Sequence, residues 1–380
     1  MTASRERPVP TSVGLDWTAL DTPALLVDLD RLEANVAAMA DHARQGGVEL
    51  RPHFKTHKST SIARRQLGAG GSGFTVATLD EAEAIVDAGL TGSILLAVQI
   101  VGQPKIDRAL RLSSRVPLTV AVDSAEGASR LAAAAASAGL VLDVSIEIDS
   151  GLHRCGVLPA DGPALARTVT GHPSLRLTGM FTHAGHSYAA ADADAVAAIA
   201  SSEAAAVVDA AAATRAVGIP VATVSAGSTP TARFLDGSSG LTEIRPGTYV
   251  FFDALQVALG TTTPEHCALS VAATVMSRPA PDRIVVDAGS KTFGLDKGAH
   301  SSELLRSHGA VLGIEGRLDR LSEEHGILTV PASSPVAIGD RIRIVPNHVC
   351  SVVNLGRRYH ALRGDVVTEV IPIDAAGGVH

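Results

Sequence analysis

The sequence predicts an α/β fold in two parts, a (β/α)8 TIM-type barrel followed by a C-terminal all-β domain. Between about residues 22 and 250, short β-rich runs alternate with longer Ala-rich amphipathic runs, which is typical of parallel βαβ units. Eight such units fit a closed barrel. After about residue 265, short strands and turns replace the helical runs, which indicates a separate β domain. The alternative, an open doubly wound sheet, is disfavoured because no GxGxxG follows the first strand.

The eight barrel strands are predicted one by one from β-rich runs. In chain order these runs read VELRPHF, GFTVA, SILLAVQ, PLTVAVD, LDVSIEID, LRLTGMFTH, VATVSAG and LTEIRPG. Helical stretches between them, such as 79–89 and 124–139, end at Gly89 and Gly139, and glycine is the common residue at a helix C-terminus. The β domain is predicted from SVAATVMSRP, RIVVDAGS, GILTVPA, DRIRIVP and VVTEVIPI.

These runs divide the chain into three segments. Residues 1–20 are polar and proline-containing and form an N-terminal tail, residues 21–265 form the barrel, and residues 266–380 form the β domain. The run TPALLVDL at 22–29 fits either part, because a first strand can pair with a C-terminal sheet.

Composition disfavours several classes of protein. The 380 residues are 46% hydrophobic, which is enough for a large core, and the net charge of -7 argues against a nucleic-acid partner. We find no run of about 18 apolar residues and no signal-peptide core, so we expect no membrane partner. The widely spaced cysteines favour reduced thiols and a cytoplasmic protein.

The most informative stretch is RPHFKTHK at 51–58, which follows a strand-like run. Strand alternation would place Glu49, Arg51, His53 and Lys55 on one face, with Lys55 at the carboxyl end of the strand. Barrel enzymes hold their chemistry at this end, and a lysine near other cations can have a lowered pKa and act as a nucleophile. The alternative is a solvated basic edge.

Polar residues also recur at the ends of later barrel strands, in EIDSGLHRCG (147–156), GMFTHAGHSY (179–188), VSAGSTPTA (224–232) and TEIRPGTYVFFD (242–253). A lone histidine is usually structural, but polar residues at successive strand ends are harder to explain in that way. The Gly/Ser/Thr turn follows the seventh strand, where barrels commonly bind phosphate. The residues of interest are Glu147, Asp149, Arg154, His183, His186, Tyr188, Gly227, Ser228, Thr229, Thr231, Arg245 and Gly247.

Near the end of the chain, VPNHVCSVVNL (345–355) places His348 and Cys350 two residues apart. On a strand this spacing puts both side chains on one face, as a two-ligand metal site requires. Imidazole with thiolate favours zinc, and two protein ligands leave room for water or substrate. The alternative is a buried cysteine beside a hydrogen-bonded histidine.

Together these segments resemble the metal-activated, pyridoxal-phosphate (PLP) enzymes of the D-serine dehydratase and D-threonine aldolase family. The resemblance runs from DTPALLVDLDRLEAN at 21–35 to the PNHVC segment, and its most specific motifs are RPHxKTHK and the late HxC. It implies an alanine-racemase-like barrel of PLP fold type III and a homodimer. It also implies PLP and a divalent metal, preferably zinc, as cofactors, and a small D-amino acid as substrate.

The resemblance implies roles for matching positions. Lys55 would bind PLP covalently and, once released by substrate, would remove the Cα proton, with Lys58 as the second choice for this lysine. Arg154 would contact the phenolic oxygen of PLP, and His183 would lie beside its ring.

Further positions of the same segments complete the implied sites. Gly227, Ser228 and Thr229 would hold the phosphate, and Arg245 would lie near the pyridine nitrogen. The metal ligands would be His348 and Cys350. The other cofactor-binding residues would be His53, Tyr188, Gly247 and Tyr249.

The same residues would serve two reactions. Loss of the β-hydroxyl gives a 2-oxo acid and ammonia, whereas cleavage of Cα–Cβ gives glycine and an aldehyde. The HxC pair, THAGHSY and GSTPT resemble dehydratases more than aldolases, so D-serine or D-threonine dehydratase is the favoured activity. A D-threonine aldolase, an amino-acid racemase and a non-catalytic PLP carrier are the alternatives. The chain reads NLGRR after the HxC pair and lacks the acidic residue of the NLHD found in many aldolases.

Overall fold

The first strand, β1 (Ala24–Asp28), lies in the C-terminal sheet and not in the barrel. The computed structural model describes residues 12–302 and 304–380. Strand β1 pairs antiparallel with residues 269–272 and parallel with residues 360–362, and its apolar sequence is buried along nearly its whole length. Asp28 then caps helix α1 (Leu29–Gln45), because its carboxylate accepts from the N–H of Arg31 at 3.0 Å. The chain thus crosses from one part of the molecule to the other at Asp28.

Eight parallel strands form the predicted barrel, which confirms the fold class. The strands are β2 (Glu49–Leu50), β3 (Gly73–Val76), β4 (Ser93–Gln99), β5 (Leu118–Val122), β6 (Leu142–Ile148), β7 (Leu175–Thr182), β8 (Thr223–Ala226) and β9 (Glu243–Ile244). Their order in the sheet is β2-β9-β8-β7-β6-β5-β4-β3. A parallel bridge between His53 and Thr75 joins the extension of β2 to β3 and nearly closes the ring. The carboxyl ends of all eight strands therefore surround one mouth.

Helices connect the strands and pack on the outside of the barrel. They are α2 (Thr60–Gly68), α3 (Leu79–Asp87), α4 (Gln103–Ser113), α5 (Ala125–Ser137), α6 (Gly162–Thr170), α7 (Ala193–Ala216) and the shorter α8 (Thr229–Ala232) and α9 (Ala254–Ala258). Their apolar faces pack against buried strand residues such as Phe74, Ile94 and Val144 in one continuous core. This core holds the strand ends, and thus the site, in fixed positions.

By length and composition alone, helix α7 is long and apolar enough to cross a membrane, with a mean hydropathy of 1.5. It was not identified from the sequence, because polar residues interrupt its apolar run. In the structure it packs on the barrel and buries Ala200, Val207 and Ala211 in the barrel core. It also buries Glu203, whose carboxylate accepts hydrogen bonds from two barrel loops. Its buried face therefore packs against the strands, and 39% of its most apolar 18-residue window is buried.

The C-terminal part is a sheet of short strands with two short helices, α10 (Ser290–Phe293) and α11 (Val349–Leu355). Its own strands are β10 (Leu269–Ala280), β11 (Arg283–Val286), β12 (Gly309–Val311), β13 (Arg317–Leu321), β14 (Gly326–Thr329), β15 (Arg341–Pro346), β16 (Arg358–Arg363) and β17 (Val366–Pro372). The order is β11-β14-β13-β12-β15-β10-β1-β16-β17, and β11 also pairs with β10. Strands β10 to β15 therefore curl into a ring, from which β1, β16 and β17 extend.

Part of the predicted N-terminal tail packs on this sheet. Residues 1–11 lie outside the described residues, but the N–H of Gly14 donates to the carbonyl of Val367 at 2.8 Å. The N–H of Val367 donates in turn to the carbonyl of Leu15 at 2.9 Å. The chain from Ser12 to Leu20 is thus attached to the edge of the sheet at β17, and Leu20 is buried.

Candidate active site

A cavity of about 290 Å³ opens at the barrel mouth, and most of the predicted cofactor residues line it. A larger cleft of about 900 Å³ lies between the N-terminal segment and the β domain, but none of the predicted site residues lines that cleft. We therefore place the chemistry at the barrel mouth. The predicted residues that line the cavity are His53, Lys55, Arg154, His183, Tyr188, Gly227, Ser228, Thr229, Arg245 and Gly247.

Lys55 reaches this cavity from a 3-10 turn and not from a strand. Strand β2 ends at Leu50, and residues 54–56 form the turn, with the Nδ1 atom of His53 facing the N–H of Lys55 at 3.4 Å. The predicted single strand face is therefore wrong. Arg51 does not line the cavity, and its guanidinium binds the carboxylate of Glu243 at 2.6 Å. Burial lowers the pKa of Lys55, and Arg154 lowers it further, whereas Cys350 opposes the shift.

Arg154 lines the cavity together with Glu147, which was noted from the sequence, and with Gln99, which was not. Its guanidinium lies 3.8 Å from the carboxylate of Glu147. The amide of Gln99 donates to the same carboxylate at 2.5 Å. Burial raises the pKa of Glu147, which Gln99 and Arg154 partly offset. Gln99 was recognisable as the polar last residue of the apolar run SILLAVQ, which ends at the barrel mouth.

Arg245 is buried at the carboxyl end of β9. Its guanidinium donates to Ser225 Oγ and, at 2.5 Å, to the carbonyl of Thr182, and it lies 5.1 Å from the centroid of the Phe181 ring. Burial lowers the pKa of Arg245, while Glu243 opposes that shift. These contacts fix the guanidinium against the floor of the cavity.

The loop after β9 passes close to the turn that carries Lys55. A Cβ atom at Gly247 would lie 2.8 Å from Thr56 Oγ1 and 3.0 Å from the Cβ of His53. Glycine is therefore required for this approach. Tyr249, predicted to bind the cofactor, is absent from the cavity lining. Its hydroxyl accepts from the amide of Gln66 at 3.0 Å, and only its N–H supports the site, by donating to Thr229 Oγ1 at 3.1 Å.

His183 and Tyr188 meet a histidine from the β domain. The Nε2 atoms of His183 and His300 are 3.4 Å apart, and the rings of Tyr188 and His300 are 5.3 Å apart. Burial lowers the pKa of His183 well below its ordinary value, and Lys55 adds to the shift. His183 is therefore neutral at physiological pH. The sequence did not reveal His300, because it comes from a loop of the second domain without a motif.

The loop after β8 supplies hydroxyl and N–H groups. Gly227 has a φ of 113°, and Ser228 caps α8 in a capping box with Thr231. Ser187 and Ser228 lie 3.0 Å apart through their hydroxyls. Glu203 supports this loop and its neighbour, because Oε1 accepts from the N–H of Gly227 at 3.0 Å and of Ala184 at 2.9 Å.

Three residues noted from the sequence lie outside the cavity lining. Asp149 shapes the preceding turn by accepting from the N–H of Gly151 at 2.9 Å and from the ring of His153 at 2.8 Å. The ring of His186 lies next to Gly151, and Thr231 belongs to the capping box of α8. These residues build the turns around the site.

His348 and Cys350 lie together beside the cavity, but not on a strand. Strand β15 ends at Pro346, His348 precedes the first turn of α11, and Cys350 lies within that turn. The predicted strand spacing is therefore wrong. The two side chains are still close enough that each shifts the pKa of the other, with His348 lowering that of Cys350 and Cys350 raising that of His348. Asp296 binds Nδ1 of His348, which leaves Nε2 as the candidate ligand atom.

The electrostatics of this pair favour a thiolate. Burial would raise the pKa of Cys350, but the neighbouring His348 and Lys55 lower it. Burial would lower the pKa of His348, but Cys350 and Asp296 raise it to about 10. The sulfur of Cys350 also lies 3.6 Å from Thr56 Oγ1, next to Lys55. Among the described residues, no group of three or more His, Cys, Asp or Glu side chains could hold a metal ion.

The residues present fit both PLP and a metal. The cavity is lined by one lysine with a lowered pKa, by a Gly/Ser/Thr loop that carries hydroxyls, and by arginines for the polar atoms of a pyridine ring. The donor set of one imidazole and one thiolate suits a borderline-soft divalent cation with open coordination positions.

Comparisons with known proteins match both parts of the chain. Residues 27–254 match the family "Alanine racemase, N-terminal domain", and residues 268–362 match "Putative serine dehydratase domain". A D-threo-3-hydroxyaspartate dehydratase of Delftia sp. (strain HT23) is 41% identical over 364 residues, which are 91% of this chain and 95% of the relative.

Solved structures of two related enzymes also match nearly the whole chain. A D-threonine aldolase from Filomicrobium marinum has a TM-score of 0.90 and 34% identity, covering 98% of this chain and 100% of that one. A D-threo-3-hydroxyaspartate dehydratase with a cysteine-to-alanine substitution, solved in a metal-free form, has a TM-score of 0.88 and 38% identity, covering 94% of this chain and 98% of that one.

Proposed function

Because this chain belongs to the family of PLP-dependent lyases with an alanine-racemase-like fold that includes D-threonine aldolase and D-serine dehydratase, we propose that it is a metal-dependent D-3-hydroxy amino acid dehydratase. D-Serine and D-threonine are the favoured substrates. The observation that carries the proposal is the contact between the two halves of the site. Cys350 of the metal pair lies 3.6 Å from Thr56, the neighbour of Lys55.

Lys55 is the residue that holds PLP and then moves the proton. PLP, when bound, withdraws electrons from Cα of an amino acid. The lowered pKa of Lys55 leaves more of its amine neutral, so that Nζ can take the Cα proton as a general base. His183 is neutral for the same reason of burial and lies at the cavity wall without a competing positive charge.

The remaining residues bind and orient. We assign Gly227, Ser228 and Thr229 to the phosphate, because their loop lines the cavity and carries hydroxyls at the start of a helical turn. Arg154 would contact the phenolic oxygen and Arg245 the region of the pyridine nitrogen. His53, Tyr188 and Gly247 would complete the cofactor wall.

The metal is proposed to be zinc, bound by His348 and Cys350. A divalent cation supplies a Lewis acid for the β-hydroxyl of the substrate, which is otherwise a poor leaving group. Zinc suits the imidazole and thiolate pair. The relative solved in metal-free form is a dehydratase altered at a cysteine, which supports a cysteine ligand in this chain.

Dehydration is preferred to aldol cleavage because of the HxC pair and because a D-threo-3-hydroxyaspartate dehydratase, at 41% identity, is more similar than the D-threonine aldolases, at 33% and 34%. The D-serine dehydratases, by contrast, are 30% identical. Aldol cleavage is the second candidate, since the D-threonine aldolase structure covers nearly the whole chain. A racemase needs a second base, and Tyr359 does not provide one. It is buried, and its hydroxyl donates to the carbonyl of His57 at 2.6 Å.

We further propose a cytoplasmic homodimer with a D-amino acid as its small-molecule ligand. The free thiols of Cys155, Cys267 and Cys350 are consistent with a reducing compartment. The dimer follows from the resemblance, and sedimentation of the holoenzyme tests it.

Product analysis tests the proposed reaction. The purified protein, loaded with PLP and zinc, is incubated with D-serine, D-threonine and D-threo-3-hydroxyaspartate, with and without a chelator. We expect ammonia and a 2-oxo acid in equal amounts, and loss of both with chelator. Glycine with an aldehyde as the only products would establish the aldolase instead, and activity unaffected by chelator would contradict the metal.

A further inference from the structure

The motif RPHFKTHK contains a second lysine, Lys58, which does not line the cavity. Its side chain is buried, with 6% of the residue exposed. Nζ donates to Asn354 Oδ1 at 2.7 Å and to the carbonyl of Gly378 at 2.9 Å, and it lies 3.5 Å from the carboxylate of Glu81. These partners belong to α11, the C-terminal segment and α3, so one ammonium group joins three separate parts of the chain.

The backbone of Lys58 is held just as firmly. Its φ of 49° lies in the left-handed region, which is uncommon for a residue with a side chain. Its N–H donates to the carbonyl of Phe54 at 2.8 Å, and its own carbonyl accepts from Ala375 at 3.1 Å. A conformation of this kind persists only where the surrounding contacts determine it.

Helix α11 connects Lys58 to the metal pair. Asn354 lies four residues after Cys350, so both side chains face the same side of the helix. On that side of the helix, Cys350 contacts Thr56 and Asn354 contacts Lys58. Lys58 follows Thr56 by two residues in the chain. The short segment Thr56 to Lys58 therefore touches α11 at two points one helical turn apart.

We propose that Lys58 is a positioning residue that sets the position of α11, and with it His348 and Cys350, relative to Lys55. Val349, Val352 and Val353 pack α11 into the core of the β domain, and the Lys58–Asn354 hydrogen bond adds a second contact between this helix and the segment that carries Lys55. This inference rests on the proposed function, because it requires His348 and Cys350 to bind a metal.

Two substitutions at Asn354 test the inference with the holoenzyme. Asn354→Leu removes the acceptor for Lys58 and leaves Glu81 paired, whereas Asn354→Asp has the same shape and keeps an acceptor. Zinc affinity is measured by competition with a chromogenic chelator, and the absorbance of lysine-bound PLP is recorded in parallel. We expect zinc affinity to fall by about 10- to 100-fold in Asn354→Leu, as for other supporting residues of metal sites. In Asn354→Asp we expect it to stay within about twofold, and PLP absorbance should be unchanged in both.

Lys58→Met and a matched control complete the test. Lys58→Met should weaken zinc binding at least as much as Asn354→Leu does. The control is Arg65→Met, which breaks another contact between the barrel and the β domain, the Arg65–Glu369 pair at 2.6 Å. It should leave zinc affinity unchanged.

Three outcomes would overturn the inference. The first is wild-type zinc affinity in both Asn354→Leu and Lys58→Met. The second is a loss of zinc affinity in the Arg65→Met control equal to that in these two variants. The third is a loss of PLP absorbance that accompanies the loss of zinc binding in Asn354→Leu or Lys58→Met. A wild-type protein that binds no zinc would refute the proposed function itself, and so the two failures are distinguishable.

Discussion

Lys55 is the residue whose chemistry depends most directly on its surroundings. Replacement by Ala should abolish the absorbance of lysine-bound PLP and lower kcat by roughly 10²- to 10⁴-fold, the usual contribution of a general base. Lys58→Ala is an informative comparison, because its ammonium binds Asn354 and Gly378 outside the cavity. The absorbance of lysine-bound PLP should persist in Lys58→Ala. If it instead persisted in Lys55→Ala, Lys58 would become the candidate for the covalent link.

His57 makes the stability of the protein sensitive to acid. It is fully buried and binds Gln66 at 3.0 Å, and burial lowers its pKa from 6.5 to about 4. Between these values the unfolded chain binds a proton that the folded chain does not. Stability is therefore complete above pH 6.5 and is lost as the pH falls towards about 4, by roughly 3 kcal/mol at about 1.4 kcal/mol per pH unit.

Urea unfolding between pH 7.5 and 4.5 measures this effect. In the wild type the free energy of unfolding should fall as the pH is lowered, and His53 and His183, whose pKa values burial also lowers, act in the same direction. In His57→Asn the slope should be smaller by about one proton. Equal slopes in the two proteins would mean that His57 is not the group responsible.

The strand ends were predictable at the level of elements, because apolar runs of period two and Gly-terminated helices repeat along the barrel. The short strands β12 and β13 and the polar β16 were missed, since GAV, RLDRL and RYHALR carry little apolar pattern. The HxC pair was interpreted as lying on a strand, but the structure places it at the start of helix α11. Tertiary contacts hold this helix in place, since Asp253 accepts from the N–H of Val349 at 3.2 Å and Lys58 binds Asn354.

Within the candidate site, too, some residues could be predicted from the sequence and others could not. Residues at strand ends, such as Arg154 and His183, could be found because parallel strands in a barrel bring their carboxyl ends together. His300, Asp296 and Glu203 could not, because they come from loops of the β domain or from a helix outside the barrel, and only the folded chain brings them to the mouth.

Glu203 of α7 ties two active-site loops together, and we expect it to contribute to stability. Its Oε1 accepts from Ala184 and Gly227, its Oε2 has no partner among the described residues, and burial raises its pKa. Glu203→Gln keeps an acceptor oxygen and should be mildly destabilising. Glu203→Ala leaves two buried N–H groups without an acceptor and should lower the free energy of unfolding by about 2–6 kcal/mol, at roughly 1–3 kcal/mol for each group.

Urea denaturation of both Glu203 variants measures this difference. A second readout is the affinity for PLP, which should fall in Glu203→Ala because the loops of His183 and Ser228 lose a common support. Equal stability of the two variants would show that the acceptor oxygen is not what Glu203 contributes.

At the scale of the whole molecule, the β domain takes one of its strands from the segment that precedes the barrel, and we therefore expect residues 266–380 not to fold alone. Strand β1 lies between β10 and β16 in the sheet, and Leu29, Leu32 and Val36 of α1 belong to the same core as Val271 and Ile344. A fragment of residues 266–380 would expose both strand edges and lose this apolar layer. We predict that the fragment alone shows no cooperative thermal transition by circular dichroism, and that a peptide of residues 12–45 restores one. A peptide with Leu26→Asp should not, because Leu26 is fully buried in the sheet. Cooperative unfolding of the fragment by itself would show instead that the β domain folds independently of the segment that precedes the barrel.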